Sequence, residues 1–158
     1  MDYAFQIVQL TAQFYHDYPH EKYPEILNKS NRAYNCFLFE IWEDIFVCVP
    51  YRTEIHHKYS YRFKNSVRAQ QHKSGLDFSK AVIISNFNYI SSASAVIDSD
   101  EFYETMKNIT LIANKVFQYV KEYIDYNKGI HTISQQEYIR RYQYSPLQYF
   151  HKELNISV

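Results

Sequence analysis

Glycine is nearly absent from this chain: Gly75 and Gly129 are the only two among its 158 residues, where average usage of about 7% would supply roughly eleven. Walker-type phosphate loops and dinucleotide-binding turns both need clustered glycines, so ATP- and NAD-dependent chemistry is not expected and no cofactor is foreseen. Long apolar runs are lacking too. None approaches the ~20 residues of a membrane-spanning helix, and no membrane association is expected. The segment Ala4 to Leu10 is interrupted by Gln6 and Gln9, and no basic region precedes it. A secretory leader is therefore not expected, and the compartment expected is the cytoplasm.

Cysteine is scarce. Cys36 and Cys48 sit in apolar surroundings and read as reduced core thiols. A hairpin turning at Glu43–Asp44 would set Cys48 opposite Phe39, so that the two sulfurs would not face each other. The length suits one domain, 1–158, which can bury roughly 68–70% of its unfolded surface without a staple.

Net charge is also missing, since 17 Lys and Arg balance 17 Asp and Glu, but the charge is unevenly placed. Between Arg52 and Lys73 the cations Arg52, Lys58, Arg62, Lys64, Arg68 and Lys73 face the single acid Glu54. The stretch Asp98 to Tyr126 compensates with an acidic excess. A neutral protein with a concentrated basic segment can still bind a polyanion. What the chain has in abundance is aromatic: 17 Tyr and 11 Phe. Tyr beside Arg and Lys suits RNA, because rings stack on unpaired bases while cations meet phosphates. Ordinary core and surface tyrosines are the plainer alternative.

Periodicity and turn signals predict an α+β chain in which a mainly antiparallel, twisted sheet carries helices. Strands are expected over Tyr3–Leu10, Tyr34–Ile41, Ile45–Tyr51 and Lys80–Ser85, the middle two as a hairpin. Thr11 should cap a short helix over Ala12–Tyr18 that Pro19 ends. Asp98 with Glu101 forms a capping-box pattern. It should open a long helix whose core stripe is Phe102, Met106, Ile109, Ala113, Val116, Val120 and Ile124. Ser134 with Glu137 opens another helix, and Ser145–Pro146 a last one. Arg52 to Ser74 reads as a long functional or mobile loop with a helical piece.

Cleaving RNA without a metal requires an activated or oriented 2′-hydroxyl, an acid for the departing 5′-oxygen, and donors for the phosphorane charge. The run Pro50 to Tyr59 contains suitable groups and begins at a strand end. Arg52 could clamp a phosphate, Thr53 could donate to a phosphate oxygen, and His56 or His57 could transfer protons. A basic loop with two His is equally a solvated face. A metal site is not expected: adjacent His on an extended chain point apart, and no Cys or acid has zinc spacing. Cys catalysis is opposed by the strand setting of both thiols. Further basic clusters are Lys29–Arg32 and Gly75–Lys80. In the second, Asp77 reads as a turn cap, and Lys80 as either a surface charge or a phosphate contact.

The order of these pieces resembles the toxins of type III toxin–antitoxin systems, the ToxN/AbiQ superfamily, and within it the TenpN and CptN branches. The resemblance rests on several pieces in order. They are Leu10-Thr11 with Phe14-Tyr15 and Asp17-Tyr18-Pro19, then Pro24-Glu25-Ile26, then Asn31-Arg32-Ala33-Tyr34, then Phe46 to Thr53 with Ile55 and His57. Two blocks complete it: Gly75-Leu76-Asp77-Phe78-Ser79-Lys80-Ala81-Val82-Ile83-Ile84 and Tyr144-Ser145-Pro146-Leu147-Gln148-Tyr149-Phe150. It implies a compact, highly twisted antiparallel sheet with flanking helices, a Kid/MazF-like core with helical additions. It implies a bacterial, metal-independent endoribonuclease that leaves 2′,3′-cyclic phosphate and 5′-hydroxyl ends. The implied partners are a repeat RNA antitoxin folded as a pseudoknot, which the toxin cuts and which inhibits it in a closed toxin–RNA assembly, and cellular or phage mRNA as substrate. Growth arrest or abortive phage infection would follow.

Carried over by position, Thr53 stands where the family commonly has Ser, with Arg52 before it and His57 and Lys58 after it. Arg32 occupies the basic position before the Tyr34 strand, with Lys29 a nearby second candidate, and Tyr15 is the N-terminal helix tyrosine. With Tyr34 and Lys80, and with Arg62 and Lys64 from the basic stretch, these form the expected catalytic and RNA-binding set. Ile55 replaces a lysine found in some relatives, which leaves the proton donor open among His57, Lys58 and Lys80. Ala33 stands where proline is frequent. The competing expectations are a non-catalytic RNA-binding protein using the same groove, and a purely structural or protein-binding module.

Overall fold

A computed structural model of the chain describes residues 5–28, 34–91 and 95–157. Lys29 and Arg32 lie outside the described residues, as do Tyr3 and Ala4 of the first expected strand. Among the described residues the architecture is α+β, with a seven-stranded antiparallel sheet and five α-helices. No helix described is long and apolar enough to cross a membrane.

The sheet is built around one hairpin. Strand β2 (Asn35–Trp42) and strand β3 (Ile45–Arg52) pair antiparallel, and the connection turns at Asp44, whose φ is 61°. Strand β1 (Phe5–Leu10) pairs with the outer side of β2. The free side of β3 is shared along its length. Its first half pairs with β6 (Val82–Ile84), while Tyr51 and Arg52 pair with β5 (Gly75–Asp77), which in turn pairs with β4 (Ser60–Arg62). Strand β7 (Ile90–Ser91) closes the opposite edge against β1. The apolar core includes Val8, Phe14, Phe37, Phe39, Val47, Val49, Leu76, Ile83, Ile112, Val116, Leu147 and Phe150.

Several sequence expectations hold with corrected detail. Helix α1 is Ala12–Asp17, but Thr11 makes no capping bond; its hydroxyl donates to the Asn88 carbonyl instead. The hairpin register differs by one residue from the simple count. Glu40 pairs with Phe46 and Trp42 with Ile45, so Ile41 is the extra residue of a β-bulge. A one-residue slip moves a side chain to the other face. Cys48 therefore lies opposite Leu38, on the face of Cys36, and the two buried thiols are diagonal neighbours, still free. Burial, helped by a hydrogen bond with Cys36, pushes the Cys48 thiol up.

The expected single helix is two: α3 (Ser99–Lys107) and α4 (Ile109–Asn127), separated at Asn108. From Ile109 onward the expected stripe does pack against the core, with Ala113, Val116, Val120 and Ile124 buried. In α3 the pattern is inverted. Phe102 and Met106 are 39% and 49% exposed, while Glu101 and Glu104 are 5% and 4% exposed. The capping box is not formed, because Asp98 makes no cap bond and Glu101 turns inward to accept from the Ser66 and Ser74 hydroxyls at 2.9 and 2.8 Å.

That inversion explains the basic stretch. It is no free loop: it carries β4 and the short helix α2 (Val67–Gln71) and is tied to α3 throughout. Glu104 accepts from the Tyr61 hydroxyl at 2.8 Å and from the Lys64 and Asn65 backbone N–H groups at 3.1 Å. Asp100 accepts from Val67 N, and Asp98 from the Arg68 guanidinium. The acidic compensation noted along the chain is thus partly a direct contact, and buried carboxylates of this kind are stable only with such donors. The last two sequence signals fare differently. Ser134 caps α5 (Gln135–Tyr142) by accepting from Glu137 N, while Ser145–Pro146 opens a 3-10 turn over Pro146–Tyr149.

Candidate active site

Side chains alternate along a strand, so Cys48, Pro50 and Arg52 of β3 share one face while Tyr51 points to the other, where its hydroxyl meets Thr105 of α3 at 3.0 Å. Arg52 is directly paired with Gly75, and Gly75 with Arg62. The three residues make one row across β3, β5 and β4, and directly opposite residues lie on the same face. Glycine is required in the middle of that row: a Cβ on Gly75 would stand 2.1 Å from the Tyr61 carbonyl oxygen.

Two residues further along β5, Asp77 is fully buried, and it gathers the site. Its Oδ2 accepts from Arg52 Nη1 at 2.7 Å. Its Oδ1 lies 3.1 Å from His57 Nε2 and accepts from the Ser79 hydroxyl at 2.6 Å and the Ser79 backbone N–H at 3.0 Å. Ser79 Oγ is itself 3.2 Å from His57 Nε2. The other ring nitrogen, Nδ1, accepts from the Tyr59 backbone N–H at 3.1 Å. Arg52 and His57 remain about one-third exposed, 31% and 35% at the side chain, so both present an edge outward from this buried anchor. A guanidinium that spends one nitrogen on Asp77 keeps N–H groups for a phosphate.

Thr53 lies just past the end of β3 and is exposed, followed by Glu54 with φ of 57°. Glu54 accepts from or pairs with His72 at 2.6 Å and stands 3.8 Å from His56. Ile55 is 1% exposed, and its N–H donates to the Lys73 carbonyl; the position that carries lysine in some relatives is here a core anchor. Lys58 is exposed with its ammonium 5.6 Å from the centre of the Tyr59 ring, and the His57 ring stacks on the same Tyr59 ring at 6.0 Å between ring centres. The Tyr59 hydroxyl donates to Glu137 of α5 at 2.8 Å, and this bond, with Arg141, holds the Glu137 carboxyl below its usual range.

A second group forms beside the first on the same face of β3. Tyr15, Tyr34 and Lys80 line a small recess floored by Cys36, Cys48 and Pro50. Burial pushes the Tyr15 phenol up strongly, and a backbone hydrogen bond from Tyr34 opposes this only partly. A phenol in that setting keeps its proton. Lys80 is neither a free surface charge nor an open phosphate contact. Its ammonium is taken by the Glu25 carboxylate at 3.1 Å, the Glu25 carbonyl at 3.3 Å and the Tyr144 carbonyl at 2.9 Å. As a candidate proton donor it is displaced by this geometry.

The structure therefore brings Arg52 and His57 together on Asp77, with Thr53 and Lys58 adjoining them in sequence, and sets Tyr15, Tyr34 and Lys80 around the neighbouring recess. Arg62 and Lys64 are exposed on and beside β4. Arg62 is the arginine, among the described residues, with no ion pair. Reading the sequence missed Ser79 and Tyr59, and took Asp77 only as a turn cap. Asp77 does cap that turn, but its wider role depends on β3–β5 pairing, which no local pattern announces. Among the described residues no group of three or more His, Cys, Asp and Glu is arranged to hold a metal ion. No protein family, curated protein or solved structure matches the chain.

Proposed function

We propose that the chain is a metal-independent endoribonuclease, and that it acts as a toxin of a type III toxin–antitoxin system in the bacterial cytoplasm. The observation that carries this reading is the Arg52–His57–Asp77–Ser79 cluster at the end of β3, beside an exposed Thr53. It offers a guanidinium and a hydroxyl for the phosphate and its developing charge, the two needs that electrostatic catalysis of phosphoryl transfer has to meet. Attack by the 2′-hydroxyl would leave a 2′,3′-cyclic phosphate and a 5′-hydroxyl. Arg52 clamps the phosphate in this reading, Thr53 donates to a phosphate oxygen, and His57 or Lys58 stands nearest for proton transfer. The unpaired Arg62, Lys64 and the tyrosine-lined recess extend the surface along which RNA runs. The Kid/MazF-like core and the pseudoknot RNA antitoxin belong to the same proposal and rest on the resemblance in sequence order.

A second reading keeps the surface without the chemistry: a non-catalytic RNA-binding protein. It is favoured by the fact that both His57 nitrogens are already engaged within the protein. Incubation of the purified protein with total bacterial RNA in EDTA, followed by end mapping, separates the two. Discrete cuts with cyclic phosphate ends support the enzyme. Intact RNA that is nonetheless retained, with affinity falling steeply in salt, supports the binding protein.

A further inference from the structure

Asp77 is the most completely engaged charge near the site. It has no exposed surface, and its two oxygens receive Arg52, His57 and Ser79. The tautomer of the imidazole can be read from its other side. Because the Tyr59 N–H donates to Nδ1, that nitrogen presents a lone pair, so the ring proton sits on Nε2 and points at Asp77 Oδ1 and Ser79 Oγ. The guanidinium is fixed in the same way: one nitrogen is drawn in by Oδ2 and the rest of the fork is turned outward.

We propose that Asp77 is the positioning residue of this site, a buried carboxylate that aims the Arg52 fork at the phosphate and holds His57 as its Nε2–H tautomer. In this arrangement the imidazole braces the β3–β5 end and is not the group that exchanges a proton with substrate, which leaves Lys58 as the exposed candidate donor. The kinetic part of the inference rests on the ribonuclease reading; the tautomer part does not. Asp77→Asn separates the functions of the carboxylate. The amide offers one acceptor where the structure uses two, so either Arg52 or His57 loses its anchor.

The experiment pairs nitrogen-15 NMR of the imidazoles with cleavage kinetics on a short RNA spanning a mapped cut site. The His57→Asn spectrum identifies the His57 signals among the seven histidines. In the wild-type chain Nε2 is expected to be pyrrole-like and Nδ1 pyridine-like. In Asp77→Asn either that preference or the Arg52 anchor is lost, and kcat falls about 100-fold, the effect of roughly an ångström of misplacement. KM stays within about threefold, because the contact is exerted in the transition state. A wild-type His57 carrying its proton on Nδ1 overturns the inference, whether or not Asp77→Asn folds. So does a variant with unchanged kcat. Wild-type protein that leaves all RNA intact sinks the ribonuclease reading alone, and the spectra then decide the role of Asp77.

Discussion

Replacing Glu104 with alanine should destabilise the protein more than replacing its apolar neighbour Met106, although the sequence pattern predicts the reverse. Glu104 is 4% exposed and receives the Tyr61 hydroxyl and the Lys64 and Asn65 N–H groups. Without it the buried Tyr61 hydroxyl is orphaned, at about 1–3 kcal/mol. The two backbone donors lie nearer the surface and can recruit water, so each loses only about 0.5–1 kcal/mol. The total is about 3 kcal/mol. For a chain of this length that is a fall in Tm of roughly 6–12 °C. Met106 is 49% exposed, and its truncation should cost less than about 1 kcal/mol, against the 2–5 kcal/mol of a core methionine. Urea unfolding of the two variants, followed by circular dichroism, reads both numbers. A Met106→Ala variant that loses more stability than Glu104→Ala would refute the inverted orientation of α3, and with it the anchoring of the basic segment.

Other expectations follow from single contacts. Gly75→Ala should cost at least the roughly 1–3 kcal/mol of overpacking, since its Cβ would collide with the Tyr61 carbonyl; denaturant unfolding that shows wild-type stability would contradict the β4–β5 register. Burial lowers the His151 imidazole pKa below its usual 6.5. The unfolded chain therefore takes up a proton first, and stability should decline as pH falls from about 6.5 toward the lowered folded value. His151→Asn should flatten that part of a stability–pH profile, and an unchanged slope would remove His151 from the account. Arg62→Ala should reduce the salt dependence of RNA binding by roughly one phosphate contact. An unaltered slope in a filter-binding titration would place Arg62 off the RNA path.

How much of this was legible in the sequence depends on distance along the chain. The hairpin, α1, the Ser134 cap and the apolar stripe of α4 depend on neighbours within a few residues, and each is present. What failed was non-local. The Ile41 bulge that brings Cys36 and Cys48 onto one face leaves no mark in strand propensity. The polar face of α3 is buried because Ser66, Ser74 and the Lys64–Asn65 backbone meet it from a distant segment. Lys80 looked free because Glu25 and Tyr144, its partners, lie 55 and 64 residues away. At the site itself, Arg52, Thr53 and His57 could be read from residue type and their place at a strand end. Asp77 and Ser79 could not, because β5 is only three residues long and its partners come from elsewhere.

The most direct test of the central claim is to map 5′-hydroxyl ends in total bacterial RNA after incubation, in EDTA, with the wild-type protein and with Thr53→Ala. New, discrete ends are expected with the wild type and none with the variant. The variant's RNA affinity should stay nearly unchanged, since one exposed hydroxyl contributes little to a charged interface. No new ends with the wild type, or the same ends from both proteins, would contradict that claim.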